Sequence, residues 1–310
     1  MDGFIVVDKS AGMTSHDVVS AVRRIVGQKK VGHTGTLDPF ATGVLPVALG
    51  EATKAIPFLD ESIKEYRAVM KLGVATDTQD YTGKVLHESD WSHVTTSVLN
   101  EICRMFVGKL SQVPPMFSAL KQNGVPLYKL ARQGAEVPRQ PREIEIYSLV
   151  IEAVNLPEVA FTVRCSRGTY VRTLANDIGG KLGCGAHLLQ LHRSLSGPFS
   201  INNAITLDDW ARRMQDGRAG ETLVSPFAAL SHLKDFILTG KGAAKVANGV
   251  VPALEDFQVL SECELLRDEL VRMSFGGTLL AVAKAGLPGD WKMLKNLKLS
   301  RVFNLDNSFT

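Results

Sequence analysis

The segment best suited to chemistry is Val31-Gly32-His33-Thr34-Gly35-Thr36-Leu37-Asp38-Pro39-Phe40-Ala41-Thr42-Gly43-Val44-Leu45. It holds a single carboxylate, Asp38, among residues that are otherwise uncharged apart from His33. Such a carboxylate can act as a nucleophile or stabilise positive charge developing on a substrate. Pro39 pushes Asp38 out of helical backbone toward an extended or turn conformation. The flanking glycines allow the backbone to approach a bound molecule closely. Taken alone, Asp38 also fits an ordinary turn, and His33 fits a histidine satisfied by backbone.

Other chemistries find little support. The sequence has no Gly-x-x-x-x-Gly-Lys-Ser/Thr loop, no Gly-x-Gly-x-x-Gly, no His-Glu-x-x-His and no Gly-x-Ser-x-Gly. The histidines are scattered, and Cys103, Cys165, Cys184 and Cys263 form no Cys-x-x-Cys pair. A mechanism without metal or organic cofactor is expected by elimination. The net charge of +3, from 35 basic and 32 acidic residues, excludes bulk electrostatic attraction to nucleic acid. Any such partner must be met by local charge. Neither a leader peptide nor a run of roughly 18 apolar residues is evident, so a cytoplasmic protein with reduced thiols and no membrane contact is expected.

The elements that must position this loop can be read from periodicity. A length of 310 residues suggests two domains at about 150 residues each, and a hydrophobic content of 45% is enough for a sizeable core. Phe4–Val7 reads as a buried strand. Thr14 or Ser15 caps a helix that runs to Val26, with Gly27 closing it. Tyr66, Ala68, Met70 and Leu72 alternate as one face of a strand, as do Val159, Phe161, Val163 and Cys165. A helix is predicted over 95–107 with Val98, Ile102 and Met105 or Phe106 inward. Another, following Gly168-Thr169, carries Leu174, Ile178 and Leu182. The irregular alternation implies an α+β fold, a mixed or antiparallel sheet with flanking helices. Beyond Leu230, short strand-like runs (257–260, 270–275, 278–283) read as a small β-rich domain, giving a division at 1–230 and 231–310.

Between these elements lies a basic segment, Phe117–Arg142. Lys121, Lys129, Arg132, Arg139 and Arg142 stand against Glu136 alone, a net +4 in 26 residues. It reads either as a solvated loop or as an arm that orders on an anionic partner.

Five ordered motifs resemble the bacterial TruB family, the synthases that make pseudouridine at uridine 55 of tRNA. They are Asp8–Ser15, the Asp38 segment, Lys64-Glu65-Tyr66-Arg67 with Leu72–Asp80, Pro114–Lys121, and Cys165–Leu174 followed by Gly183–His187 and Leu191-His192-Arg193. Ser10 stands where the family commonly has proline, and His192 where it often has arginine. The resemblance covers about residues 3–200 closely, and the C-terminal part resembles a PUA RNA-binding domain more loosely.

The resemblance implies an isomerase that breaks the uracil N1–ribose C1′ bond and rejoins the base through C5. No atom is gained or lost, so neither cofactor nor metal is implied. It makes Asp38 the catalytic carboxylate and Arg172 its partner, which would favour its charged form. It makes Tyr66 the aromatic that stacks on the base. His33 would fill the place of the extruded base, and Tyr170 and Leu191 would line the base pocket. Lys9, Lys64 and Arg193 are candidate RNA contacts, with Lys121, Lys129 and Arg132 on the arm. The implied partner is the T-stem-loop of tRNA, with the acceptor end held by the C-terminal domain. A monomer without an obligate protein partner is expected. A binding or RNA-folding protein without turnover is the alternative, though it would have no need of Asp38, Tyr66 and Arg172 together.

Overall fold

The computed structural model describes residues 1–259, 265–286 and 297–305. The chain starts with β1 (Gly3–Lys9), α1 (Ser15–Val26), β2 (Val31–His33) and β3 (Thr42–Leu49). Thr14 caps α1 in a reciprocal capping box with Asp17, and Gly27 ends it in left-handed backbone (φ 64°). Next come β4 (Ile63–Leu72), the hairpin β5 (Val74–Thr76) and β6 (Val85–Glu88), helix α2 (Thr96–Arg104) and β7 (Gly108–Gln112). The basic segment folds as a small hairpin, β8 (Lys121–Gln122) and β9 (Val125–Pro126), followed by α3 (Leu127–Arg132). The long strands β10 (Arg142–Asn155) and β11 (Glu158–Ser166) precede α4 (Val171–Leu182), β12 (Ala186–Ser196) and β13 (Phe199–Ser200). Helices α5 (Leu207–Gln215) and α6 (Pro226–Ala229) lead to β14 (Lys234–Leu238), α7 (Gly240–Ala247), β15 (Phe257–Val259), β16 (Leu270–Phe275), β17 (Thr278–Ala285) and β18 (Leu297–Val302).

Nine of these strands form one mixed sheet in the order β1-β3-β12-β4-β11-β10-β7, with β2 on β3 and β13 on β12. Only the β3–β12 pairing is parallel, joining His192 to Thr42 and Arg193 to Gly43. It brings two motifs 150 residues apart side by side. The alternating sets of β4 and β11 are buried as the sequence predicts, packing with Leu174, Ile178 and Leu182 of α4. Helix α2 departs from expectation. It is shorter than 95–107, and Leu99 and Cys103 are its buried residues, whereas Val98 and Met105 are exposed. Ile102 and Phe106 of the expected face are half-buried against the core, but the centre of the contact falls one residue further round, on Leu99 and Cys103.

The C-terminal strands form a second sheet, β15-β14-β16-β17-β18, with its own core around Phe236, Leu238, Met273 and Ala281. Leu260, at the end of the expected 257–260 strand, lies outside the described residues, as does Cys263. This sheet also shares a core with the first. Leu279, Val282 and Phe303 are fully buried among Phe4, Val6, Val44, Ala48, Ala52 and Ala55. Polar contacts seal the seam: Asn304 N donates to Glu51 Oε2 (2.9 Å) and Lys54 Nζ to Val302 O (3.2 Å). Arg272 lies over the Phe227 ring, 4.0 Å from its centroid.

Phe303 is 2% exposed, so Phe303→Ala should cost about 3–5 kcal/mol. Urea unfolding measured on the whole chain checks it.

Candidate active site

The loop carrying Asp38 leaves β2 at His33 and re-enters the sheet at Thr42. Having few polar side chains of its own, it is shaped from outside. Gly12 N donates to Pro39 O (2.8 Å), and Ala41 N closes a turn on Asp38 O (3.1 Å). The Ser15 hydroxyl accepts from Leu37 N (2.9 Å) and donates to Leu37 O (3.2 Å), tying the loop to the first residue of α1.

Two buried cations complete the frame. Lys9 Nζ donates to the carbonyls of Ser10 (2.9 Å), Met13 (2.8 Å) and Pro39 (3.2 Å). Arg193 donates to the carbonyls of Val44 (2.8 Å), Thr36 (3.3 Å) and Gly35 (3.4 Å). Both are candidates for phosphate or loop contacts by the resemblance, and in the structure Lys9 is 1% exposed and Arg193 is fully buried. Each donates to backbone carbonyls around the loop. Burial pushes the Lys9 ammonium down to about 8, although Asp38 draws it back up. Gly43 permits this approach. Its φ of 96° suits glycine, and a Cβ there would collide with the Arg193 carbonyl.

Asp38 meets Arg172 of α4 through both oxygens. Arg172 Nε lies 2.8 Å from Oδ2, and Nη2 donates to Oδ1 at 3.3 Å. The guanidinium is nearly buried, while the Asp38 side chain is 31% exposed, open to a cavity on one side. Arg172 also donates from Nη1 to Thr78 O (2.8 Å) and from Nη2 to Phe117 O (2.8 Å). Its Nη1 lies 3.5 Å from Oδ2 of a second carboxylate, the buried Asp80. Asp80 Oδ1 accepts from the Thr78 hydroxyl (2.8 Å) and Thr82 N (3.0 Å). Gln79, between Thr78 and Asp80, holds left-handed backbone (φ 64°), and its side chain accepts from the Thr173 hydroxyl of α4 (2.8 Å).

The cavity in front of Asp38 has a volume of about 330 Å³ and is lined by Lys64, Tyr66, Tyr170, Arg172 and Leu191 among others. Tyr66 is buried on β4 beside Arg193, and burial pushes its phenol up, so the hydroxyl keeps its proton. Burial likewise raises the Tyr170 phenol, with the Ser118 hydroxyl beside it. Gln112 fixes the Tyr170 backbone from both sides, accepting from Tyr170 N (2.8 Å) and donating to Tyr170 O (3.1 Å). His33 stands at the base of the loop, half-buried. Burial, then the Arg193 charge, pushes its imidazole down. Lys121, Lys129 and Arg132 are exposed on the arm, away from the cavity wall. Cys165 is buried, and burial raises its thiol to about 11.

Asp80 and Gln112 went unsingled in the sequence. Asp80 sits in the Leu72–Asp80 motif, a Thr-rich turn that carries two acids, Asp77 and Asp80. Gln112 carries no such signal, being one polar residue at a strand end.

A family model described as "TruB family pseudouridylate synthase (N terminal domain)" matches residues 23–171, and "tRNA pseudouridylate synthase B C-terminal domain" matches 172–238. The chain belongs to the TruB family of pseudouridylate synthases. It is 99% identical over 310 residues, the whole of both chains, to the tRNA pseudouridine synthase B of Geotalea uraniireducens. Over 305 residues it is 55% identical to that of Geobacter sulfurreducens, covering 98% of this chain and all of the relative. A chain in an H/ACA ribonucleoprotein bound to a substrate RNA containing 2′-deoxyuridine superimposes with a TM-score of 0.73 at 26% identity, covering 99% of this chain and 86% of that one. A chain from a Cbf5-Nop10-Gar1 complex gives 0.72 at 29% identity, covering 99% and 85%. The TruB motifs are spread over α1, β4, α4 and β12, and the fold converges them on Asp38.

Gly43→Ala should lower stability by at least about 2 kcal/mol, from left-handed strain and the displaced Arg193 backbone. Thermal unfolding checks this. Lys64 gives a second test. Burial pushes its ammonium down to about 8. The folded state therefore disfavours charged Lys64, and that cost disappears as pH rises through the folded value toward the unfolded one. Lys64→Met should stabilise the protein at pH 7. The gain should shrink between pH 8 and about 10.4, as followed by denaturant midpoints across pH.

Proposed function

We propose that this TruB-family chain converts uridine 55 in the T-loop of tRNA to pseudouridine through the Asp38 carboxylate. One observation carries the reading most of the way: Asp38 is gripped by a buried arginine and faces a cavity walled by Tyr66, Tyr170 and Leu191. That cavity suits one flipped pyrimidine, flat faces against aromatic and leucine surfaces, with its ribose toward the acid.

The reaction breaks N1–C1′, turns the base, forms C5–C1′ and moves the C5 proton away, while N1 gains one. Asp38 supplies negative charge where C1′ becomes electron-poor, by attack on the sugar or by assisting elimination. Arg172 orients that carboxylate and is itself held by Thr78 O and Phe117 O. Tyr66 keeps its phenolic proton and stacks on the base, placed to pass a proton during the turn. None of these steps calls for a metal or an organic cofactor.

The target uridine must leave the RNA stack first, at a cost of a few kcal/mol. His33, held largely neutral, is shaped to take the vacated place. The arm bearing Lys121, Lys129 and Arg132 lies over the T-stem-loop, and residues 231–310 form a PUA-like grip on the acceptor end. The protein works as a cytoplasmic monomer. Among the described residues, no helix is long and apolar enough to cross a membrane.

An unmodified T-stem-loop transcript incubated with the protein and EDTA should give a carbodiimide-dependent primer-extension stop at the T-loop uridine. No stop would overturn the reading. Asp38→Asn should abolish the stop and leave RNA binding within a few fold. Neutralising Lys121, Lys129 and Arg132 together should reduce the salt slope of binding by about 2. An unchanged slope would mean that the arm does not touch phosphate.

A further inference from the structure

Four cations line the catalytic cavity, and Lys64 is the buried one without a partner. Arg172 is already paired with Asp38 and Asp80 and donates to two carbonyls. Lys64 is 8% exposed, and among the described residues its ammonium has no hydrogen-bond acceptor and no carboxylate within ion-pair distance. It stands on β4 two residues before Tyr66, so both project from the same face of the strand. Gly35 of the Asp38 loop leaves the ammonium open. A Cβ at Gly35 would sit 3.0 Å from Lys64 Nζ and 3.8 Å from Glu61 Oε1. Arg142 and Arg167 line the same cavity at its exposed rim. Neither guanidinium has a carboxylate partner among the described residues. The acids lining the cavity are Asp38 and Glu61. Asp38 is taken by Arg172, which leaves Glu61 against three free cations.

We propose that Lys64, Arg142 and Arg167 form a phosphate subsite that receives a phosphodiester adjoining the target uridine, with Lys64 at its floor and the arginines at its rim. This rests on the proposed reaction. A buried ammonium with no carboxylate in ion-pair contact is costly, and a phosphodiester oxygen entering the cavity offsets that cost. A base carbonyl would satisfy one hydrogen bond but would give no reason for two unpaired guanidinium groups at the entrance. Arginine suits a phosphate approached from solvent, and lysine suits a point charge at the end of a narrow path. Every flipped nucleotide carries its phosphates with it, so the subsite turns extrusion into orientation. With the phosphate seated, C1′ has only one way to lie over Asp38.

The test is a double-mutant cycle in the full chain carrying Asp38→Asn, which binds substrate without turning it over. T-stem-loop RNAs are made with a neutral methylphosphonate on the 5′ or the 3′ side of the target uridine. One of the two replacements should weaken binding roughly tenfold. In a chain that also carries Lys64→Met, the same replacement should cost less than twofold, and the salt slope should fall by about 0.7. Arg167→Gln, at the exposed rim, should show the same coupling and serves if Lys64→Met misfolds. If both replacements cost the same with and without Lys64 and Arg167, the subsite is wrong. The reaction is tested apart from this, since the unsubstituted chain would still place pseudouridine in the native RNA.

Discussion

The site depends on the burial of one guanidinium. Arg172 has Asp38 on one side and Asp80 on the other, and its Nη1 and Nη2 also donate to the carbonyls of Thr78 and Phe117. A charge so placed is tolerable only among counter-charges and acceptors. The neighbours of Arg172 are therefore constrained by it. Thr78 must turn its carbonyl inward, which Gln79 allows by taking left-handed backbone. Phe117 must do the same at the foot of the arm. Asp38 is then the one partner with a face left open. The arrangement leaves the Asp38 carboxylate fixed in direction and free at one edge, the form that preorganised charge takes.

Lys9 and Arg193 apply the same physics to the backbone. The Asp38 loop has few polar side chains with which to hold itself, and carbonyls of Gly35, Thr36 and Pro39 are gathered by cations from β1 and β12. Charged residues near a reacting carboxylate would ordinarily compete for it. Here Lys9 and Arg193 are occupied by amide oxygens, and it is Arg172 that pairs with Asp38. The near absence of charge in the loop follows from that division. Lysine and arginine from distant strands supply the electrostatics, and the loop supplies only close-approaching backbone. The parallel pairing of β3 with β12 makes this possible, because it sets Arg193 alongside Gly43.

Much of the fold was legible because it rests on periodicity and caps. Tyr66, Ala68, Met70 and Leu72 alternate, and β4 buries that set. Thr14 and Gly27 bracket α1 by the rules of helix ends. Burial by a partner is not periodic in the chain, and there the reading fell short. On α2, Val98 and Ile102 satisfy helical spacing as well as Leu99 and Cys103 do, and only the position of the sheet decides between them. Asp38 and Arg172 came from motif resemblance, as did the association of Lys9 and Arg193 with the site. A basic residue in a motif does not announce whether it points outward at RNA or inward at a carbonyl. That choice depends on which strands become neighbours, and the β3–β12 pairing joins residues 150 apart in the chain. Asp80 lay inside a quoted motif but gained its meaning from Arg172, which is far away in sequence.

The seam between the two sheets bears on how independently they can move. Leu279, Val282 and Phe303 pack among residues of β1 and β3, and β3 is the strand into which the Asp38 loop runs. A hinge at this seam would have to part a shared apolar core, so the second sheet is braced against the strand that ends the Asp38 loop.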